Sequence, residues 1–328
     1  MSIMEMSHRG ALYEQVNNEA QSLLRELFNI PNNYKVLLLQ GGASTQFASI
    51  PMNFLRPGTT GAYVATGSWA EKAYKEAKLF GETAIVASSE ADKFNRIPDV
   101  SSIVLPENAA YLHVTSNETI EGTQYQSYPN SGNVPLIADM SSDILCRPVD
   151  VSKFGMIYAG AQKNLGPSGV TIVIIREDLA QDSPKTIPTM LRYDTHAKND
   201  SLYNTPPSFS VYMVSLVLKW LKEKGGVAAM EQYNRNKTSL IYNAIDNSGG
   251  FYRGFAQPES RSIMNITFRL QSEELEKLFA KESEAEGFVG LKGHRSVGGL
   301  RASTYNAVPL ESCQALVQFM AEFQKRHG

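Results

Sequence analysis

The chain has 328 residues, so a large domain with a smaller companion is the starting expectation. Hydrophobic residues make up 42% and charged residues 20%, a mixture able to bury a sizeable core. A net charge of -2, with Lys and Arg spread along the chain, argues against the basic stripe of a nucleic-acid-binding protein. No apolar run approaches the roughly 20 residues of a membrane span.

Met1 to Arg9 lack a basic stretch followed by an apolar core, so no signal peptide is expected there. Leu12, Val16, Ala20, Leu23, Leu24 and Leu27 recur at helical spacing, and Pro31 follows. Val36 to Leu39 is a short apolar run ending at Gly41-Gly42, which reads as a strand buried on both faces. A helix then opens at Ser44-Thr45-Gln46-Phe47, with Ser44 expected as its cap. Ala62 to Thr66 reads as a strand and Trp69 to Phe80 as a helix. Further buried strands are expected at Tyr111 to Thr115, Pro135 to Ala138, Met156 to Ala159 and Val170 to Ile175. Strands alternating with helices predict an α/β fold with a mostly parallel sheet.

A long helix is expected from Ser210 to Lys224, ended by Gly225-Gly226. Beyond it helices alternate with strands such as Ser262 to Phe268. A last helix carries Leu310, Cys313, Leu316, Val317, Met320 and Phe323 on one face. The expected domains are therefore 1–226, large, and 227–328, a smaller α+β unit.

In open parallel sheets ligands gather beyond the carboxyl ends of the strands. The polar residues there are Gly41 to Ser44, Thr66 to Trp69, Ser116 to Thr119, Asp139, and Gln162-Lys163. Lys163 follows a strand and small residues and precedes a Gly-Pro turn. Its amine can form a Schiff base with an aldehyde cofactor, although a lone lysine also suits a surface loop. Asp139 ends the run Pro135 to Asp139, one strand earlier. A carboxylate there can keep a pyridine nitrogen protonated, or simply cap a turn. Asp143 competes for either role but lies further past the strand. Trp69 can stack on a flat ring or pack in the core. Gly41-Gly42-Ala43-Ser44, between strand and helix, suits a phosphate. It fits neither the Walker A nor the Rossmann pattern. His294-Arg295, Arg301 and the repeated pair His8-Arg9 offer guanidinium groups for a dianionic substrate, or plain solvated charge.

At these residues the chain resembles the phosphoserine aminotransferases, class V members of the fold type I enzymes that use pyridoxal 5'-phosphate (PLP). The resemblance runs from Ser2 to Gly328. Its specific stretches are Met4 to Arg9, Leu39 to Ser44, Thr66 to Trp69, Ser116 to Gly122, Ala138 to Asp143, Tyr158 to Gly166, Tyr203 to Pro207 and Gly293 to Tyr305. It implies that Lys163 carries the cofactor as a Schiff base, Asp139 pairs with the pyridinium, Trp69 stacks on the ring and Thr119 binds the 3-hydroxyl side. It also implies that Ala43, Ser44 and Gln162 hold the cofactor phosphate. Asn204 and Thr205 would reach that phosphate from the second subunit of a homodimer with shared sites. Arg301 would grip the substrate α-carboxylate, and His8, Arg9, His294 and Arg295 the distal phosphate or carboxylate.

The implied reaction moves the amino group of L-glutamate to 3-phosphohydroxypyruvate, giving O-phospho-L-serine and 2-oxoglutarate in serine biosynthesis. Some relatives also act on a phosphorylated hydroxythreonine in vitamin B6 synthesis. The family carries about thirty further residues ahead of the position of Ser2, within the usual size of such domains. Two cysteines, Cys146 and Cys313, fit no metal spacing and imply a reduced, cytoplasmic protein. Other readings are an alanine–glyoxylate aminotransferase, a cysteine desulfurase, for which neither cysteine is well placed, and a PLP-binding protein without turnover.

Overall fold

The computed structural model of the chain describes residues 2–295 and 297–328. The strands are β1 (Tyr34–Gln40), β2 (Thr60–Ala65), β3 (Glu82–Ser88), β4 (Ala109–Thr115), β5 (Asn117–Glu118), β6 (Thr123–Gln124), β7 (Leu136–Asp139), β8 (Met156–Gly160), β9 (Val170–Arg176), β10 (Arg253–Gly254), β11 (Asn265–Arg269) and β12 (Leu300–Ser303). The helices are α1 (Ala11–Leu27), α2 (Ala43–Phe54), α3 (Ser68–Ala77), α4 (Glu177–Gln181), α5 (Tyr193–Lys198), α6 (Ser208–Glu223), α7 (Gly226–Asp246), α8 (Glu273–Ala285) and α9 (Leu310–His327).

Seven strands form one sheet in the order β1-β9-β8-β7-β4-β2-β3. Neighbours from β8 to β3 pair in parallel, and β9 runs antiparallel to both β8 and β1. Successive side chains of a strand point to opposite faces. Val36 and Leu38 therefore enter one core, with α1 and α6, while Leu37 and Leu39 enter the other, with α2 and α3. Both faces of the central strands are covered, which is why they are apolar without alternation. The result is a three-layer α/β/α arrangement of the mostly parallel kind expected.

Three details differ from the sequence expectations. β3 was not anticipated: it is the edge strand, and its apolar run, Ala84 to Ala87, is half alanine and not fully buried, with Ile85 44% exposed. Ser44 does not cap α2, because the helix begins at Ala43 with Gly42 as its N-cap and no side chain closes that end. β11 starts at Asn265 rather than Ser262, whose hydroxyl instead accepts the N–H groups of Met264 and Asn265 (both 2.9 Å) in a turn.

The antiparallel sheet β10-β11-β12 packs with α8, α9 and the end of α7 around Phe268, Phe279, Phe319 and Phe323. α7 serves two cores: Val227 and Met230 lie in the large one, Ile241 and Ile245 in the small one. We propose the start of this helix, near residue 226, as the division between the units.

Candidate active site

Inner strands β7 and β8 end at Asp139 and Gly160, so the residues that follow sit at one edge of the sheet. From β8 the chain turns into Ala161-Gln162-Lys163. Lys163 Nζ donates to Thr119 Oγ1 at 2.7 Å and lies 5.2 Å from the centroid of the Trp69 ring. Burial lowers the pKa of this amine, against the pull of the Asp139 and Glu118 carboxylates. A lowered pKa makes the neutral, nucleophilic form easier to reach.

Asp139 is buried and fixed. Its Oδ1 accepts the Ser141 N–H at 2.8 Å and the Ser141 hydroxyl at 2.6 Å. Burial raises its pKa, while Ser141 and the charge of Lys163 oppose the rise. Behind it, the Tyr158 hydroxyl shares a 2.9 Å hydrogen bond with His113 Nε2, and burial depresses the His113 pKa to about 3. That imidazole is therefore neutral. Asp143 is engaged elsewhere: it accepts from the Ser116 hydroxyl and from Gln124 Nε2, tying its turn to the loop after β4.

Trp69 owes its position to two acids that sequence reasoning gave no role. Glu118 accepts the N–H groups of Trp69 (3.1 Å) and Ala70 (3.0 Å), and Glu121 accepts the Ser68 N–H (2.9 Å) and hydroxyl (2.6 Å). Together they hold the first turn of α3, where the helix dipole favours negative charge. Burial raises the pKa of both carboxyls. Gly67 is needed for this packing, since a Cβ there would meet the Glu118 carboxyl carbon at 2.6 Å and Glu121 Oε2 at 2.7 Å. Lys72, three residues beyond Trp69, was also missed. Its Nζ lies 4.1 Å from the Trp69 ring centroid, and helical i, i+3 spacing was the available signal.

One loop, Ser116 to Gly122, thus supplies Thr119 beside Lys163 and both acids under α3. The small sheet docks on the same loop. Thr267 of β11 donates its hydroxyl to the Glu121 carbonyl at 2.6 Å. Gly122, at φ +78°, has no room for a Cβ, which would lie 2.5 Å from Thr267 Oγ1. Beside Thr267 in the ladder is Arg301, whose Nη1 donates to the Thr119 carbonyl at 3.2 Å. Arg301 Nε is buried with no hydrogen-bond partner, a donor available to an anion.

His294 lies in the same field. Its pKa is lowered by burial and by the charges of Arg301, Lys72 and Arg295. Arg295 is exposed. His8 and Arg9 precede α1; His8 Nε2 is buried without a partner, and Arg9 is exposed. Among the described residues no hydrogen bond or ion pair joins these two to Lys163.

Ala43 and Ser44 form the first turn of α2, an N-terminus closed by no side chain. Gln162 is exposed beside Lys163. Asn204 Nδ2 donates to Gln40 Oε1 of the same chain at 2.9 Å, at the end of β1, and Thr205 is exposed. These residues fit PLP. An open helix N-terminus suits a phosphate, a depressed amine suits the aldehyde, and a fixed buried carboxylate suits the pyridine nitrogen. Trp69, with a buried indole N–H lacking a partner, offers a flat face beside the amine. Both cysteines are buried, and burial pushes both thiols up, which removes the reactive thiol that a desulfurase needs.

The sequence profile of the aminotransferase class-V family matches residues 2–316. A phosphoserine aminotransferase of Niallia circulans is 68% identical, covering 100% of this chain and 91% of the relative. The solved phosphoserine aminotransferase from Bacillus circulans subsp. alkalophilus superposes with a TM-score of 0.99 at 68% identity, over 100% of this chain and 91% of the other. A PLP-bound phosphoserine aminotransferase from Trichomonas vaginalis reaches 0.92 at 38% identity, over 98% and 91%. A wholly matched fold and a majority of identical residues place this protein in a family: it is a class-V aminotransferase of the phosphoserine aminotransferase group.

Proposed function

We propose that this chain is a PLP-dependent phosphoserine aminotransferase. It transfers the amino group of L-glutamate to 3-phosphohydroxypyruvate, yielding O-phospho-L-serine and 2-oxoglutarate for serine synthesis. The observation that carries the reading is the double use of Thr119. Its hydroxyl accepts from Lys163 at 2.7 Å, and its carbonyl accepts from Arg301 at 3.2 Å. An amine for the cofactor and a guanidinium for the substrate carboxylate are thereby ordered on one residue.

Bound PLP supplies an aldehyde and an electron-accepting ring, which stabilise the charge left when the substrate loses its α-proton. Lys163 would hold it through its amine, and Asp139 would favour a positive charge on the pyridine nitrogen. Trp69, whose helix turn is fixed through Glu118 and Glu121, would cover one face of the ring. Thr119 serves the 3-hydroxyl side, and Ala43, Ser44 and Gln162 hold the phosphate. Substrate binds with its α-carboxylate on Arg301. Lys163 Nζ would take the α-proton of the substrate, a role suited to an amine whose pKa is lowered by burial. Arg295 and Lys72 present positive charge, and His294 a ring N–H, to the distal phosphate of phosphoserine or the side-chain carboxylate of glutamate.

The active form is a homodimer, with His8, Arg9, Asn204 and Thr205 completing the partner's site. Exposed apolar side chains on the α1–α6 flank support this: Leu12, Tyr203, Phe209 and Leu216. The proposed location is the cytoplasm, in keeping with two unpaired cysteines. Among the described residues no helix is long and apolar enough to cross a membrane.

The test is steady-state turnover of the PLP-loaded protein with glutamate and 3-phosphohydroxypyruvate. 2-Oxoglutarate beyond one equivalent per site should form only when both are present, and pyruvate should replace the phosphorylated acceptor poorly. Equal rates with pyruvate, or no product at all, would overturn the assignment.

A further inference from the structure

Lys237 is the one lysine among the largest fully buried side chains, at 0% exposure. Its Nζ donates to three main-chain carbonyls: Thr304 at 3.1 Å, Tyr305 at 2.9 Å and Val308 at 3.0 Å. Only an ammonium presents three N–H donors from a single atom. A fully buried charge held by carbonyls and by the face of the Tyr233 ring, 4.9 Å away, is costly to keep, so its role calls for an explanation. Burial accordingly lowers its pKa to about 8.

The three carbonyls belong to the segment that joins β12 to α9. Other side chains from the same turns of α7 hold that segment too. The Tyr233 hydroxyl accepts the Leu310 N–H at 2.9 Å, and Asn234 Nδ2 donates to Asn306 Oδ1 at 2.8 Å. Asn306 reaches back towards the cofactor lysine, donating its N–H to Asn164 Oδ1 at 2.9 Å. At its other end the segment leads into Arg301, three residues before Thr304. One clamp therefore touches the neighbour of Lys163 and the strand that carries Arg301.

We propose that Lys237 is a positioning residue for substrate: by fixing residues 304–308 it sets where Arg301 stands relative to Lys163. The inference rests on Arg301 as the carboxylate-binding residue. A lysine on a polar helix, far from the cofactor in sequence, thus governs how tightly the substrate carboxylate is held. It has no part in the proton transfer.

The test compares Lys237→Met, which has no donors, and Lys237→Gln, which has two, with the parent chain. Arg301→Lys is the control. Two quantities are read: KM and kcat for glutamate, and the dissociation constant of glutarate, a dicarboxylate with no amino group, from calorimetry on the PLP-loaded protein. Lys237→Met should raise both KM and the glutarate constant about tenfold, equivalent to roughly 1.4 kcal/mol. Turnover number and the visible band of the lysine-bound cofactor should stay unchanged, and Lys237→Gln should fall between. A drop in kcat at constant KM, or no change in glutarate binding, would overturn the proposal. If Arg301→Lys itself leaves glutarate binding unchanged, the reading of Arg301 fails, separately from that of Lys237. Should the substitutions prevent folding, hydrogen exchange on the unaltered protein decides. Binding and clamping are reciprocal, so glutarate must slow exchange at residues 304–308, and unaltered exchange there would refute the clamp.

Discussion

Removing the Glu118 carboxylate should loosen the first turn of α3 and Trp69 with it. In Glu118→Ala the N–H groups of Trp69 and Ala70 lose their acceptor, at a place where Ala70 is 1% exposed. Each stranded buried donor costs about 1–3 kcal/mol, so the gross loss is roughly 2–6 kcal/mol. Two effects offset part of it. The deleted carboxyl is itself disfavoured as a charge, by burial and by neighbouring Glu121, and water entering the vacated space can serve the donors. A net loss of about 2–4 kcal/mol is expected. For 328 residues, an unfolding entropy of about 2.1 cal/mol/K per residue makes this a fall of roughly 3–6 °C in melting temperature. The assay is thermal unfolding of the cofactor-free protein by circular dichroism. Emission from Trp69 is followed in a Trp220→Phe background, which isolates it because the chain has two tryptophans. A fall below about 1 °C with unchanged Trp69 emission would refute the reasoning.

Asp139→Asn should still bind PLP through Lys163 yet lose the charge opposite the ring nitrogen. Its rate of cofactor bleaching by glutamate in stopped flow should fall about 100-fold or more. Gly122→Ala should push the small sheet off its loop, at a cost of about 1–3 kcal/mol by denaturant unfolding, and raise the KM for glutamate. The pKa of Glu121 is raised by burial, so the folded state holds its proton more tightly than the unfolded chain does. Its contribution to stability is full below the unfolded value and is lost as pH rises through the folded one. Relative to the parent, Glu121→Gln should therefore gain stability as pH rises above the ordinary carboxylate range, measured by urea unfolding at each pH.

The parts of this protein legible in its sequence are those where burial leaves no choice of residue. β4, β7, β8 and β9 are covered on both faces and are written as apolar runs, so their ends could be located, and with them Asp139 and Lys163. β3 was harder to read: its apolar run, Ala84 to Ala87, is half alanine, and as an edge strand it leaves its side chains mostly half exposed. Glu118 and Glu121 were equally opaque. Acids after a strand normally face solvent, and only the folding of their loop beneath α3 turns them into acceptors for its main chain. Lys237 sits in Asn234-Arg235-Asn236-Lys237, which reads as a solvated helix turn. The three carbonyls that receive it come from residues about seventy positions later, and no local pattern announces them.

The most direct test of the central claim is the visible absorption spectrum of the PLP-loaded protein before and after phosphoserine, with alanine as control. The band of the lysine-bound cofactor should be present, should bleach with phosphoserine and should persist with alanine. That outcome would tie Lys163 to the cofactor and the cationic cluster around Arg301 to the phosphorylated substrate. A band that alanine bleaches as readily, or that is absent, would contradict it.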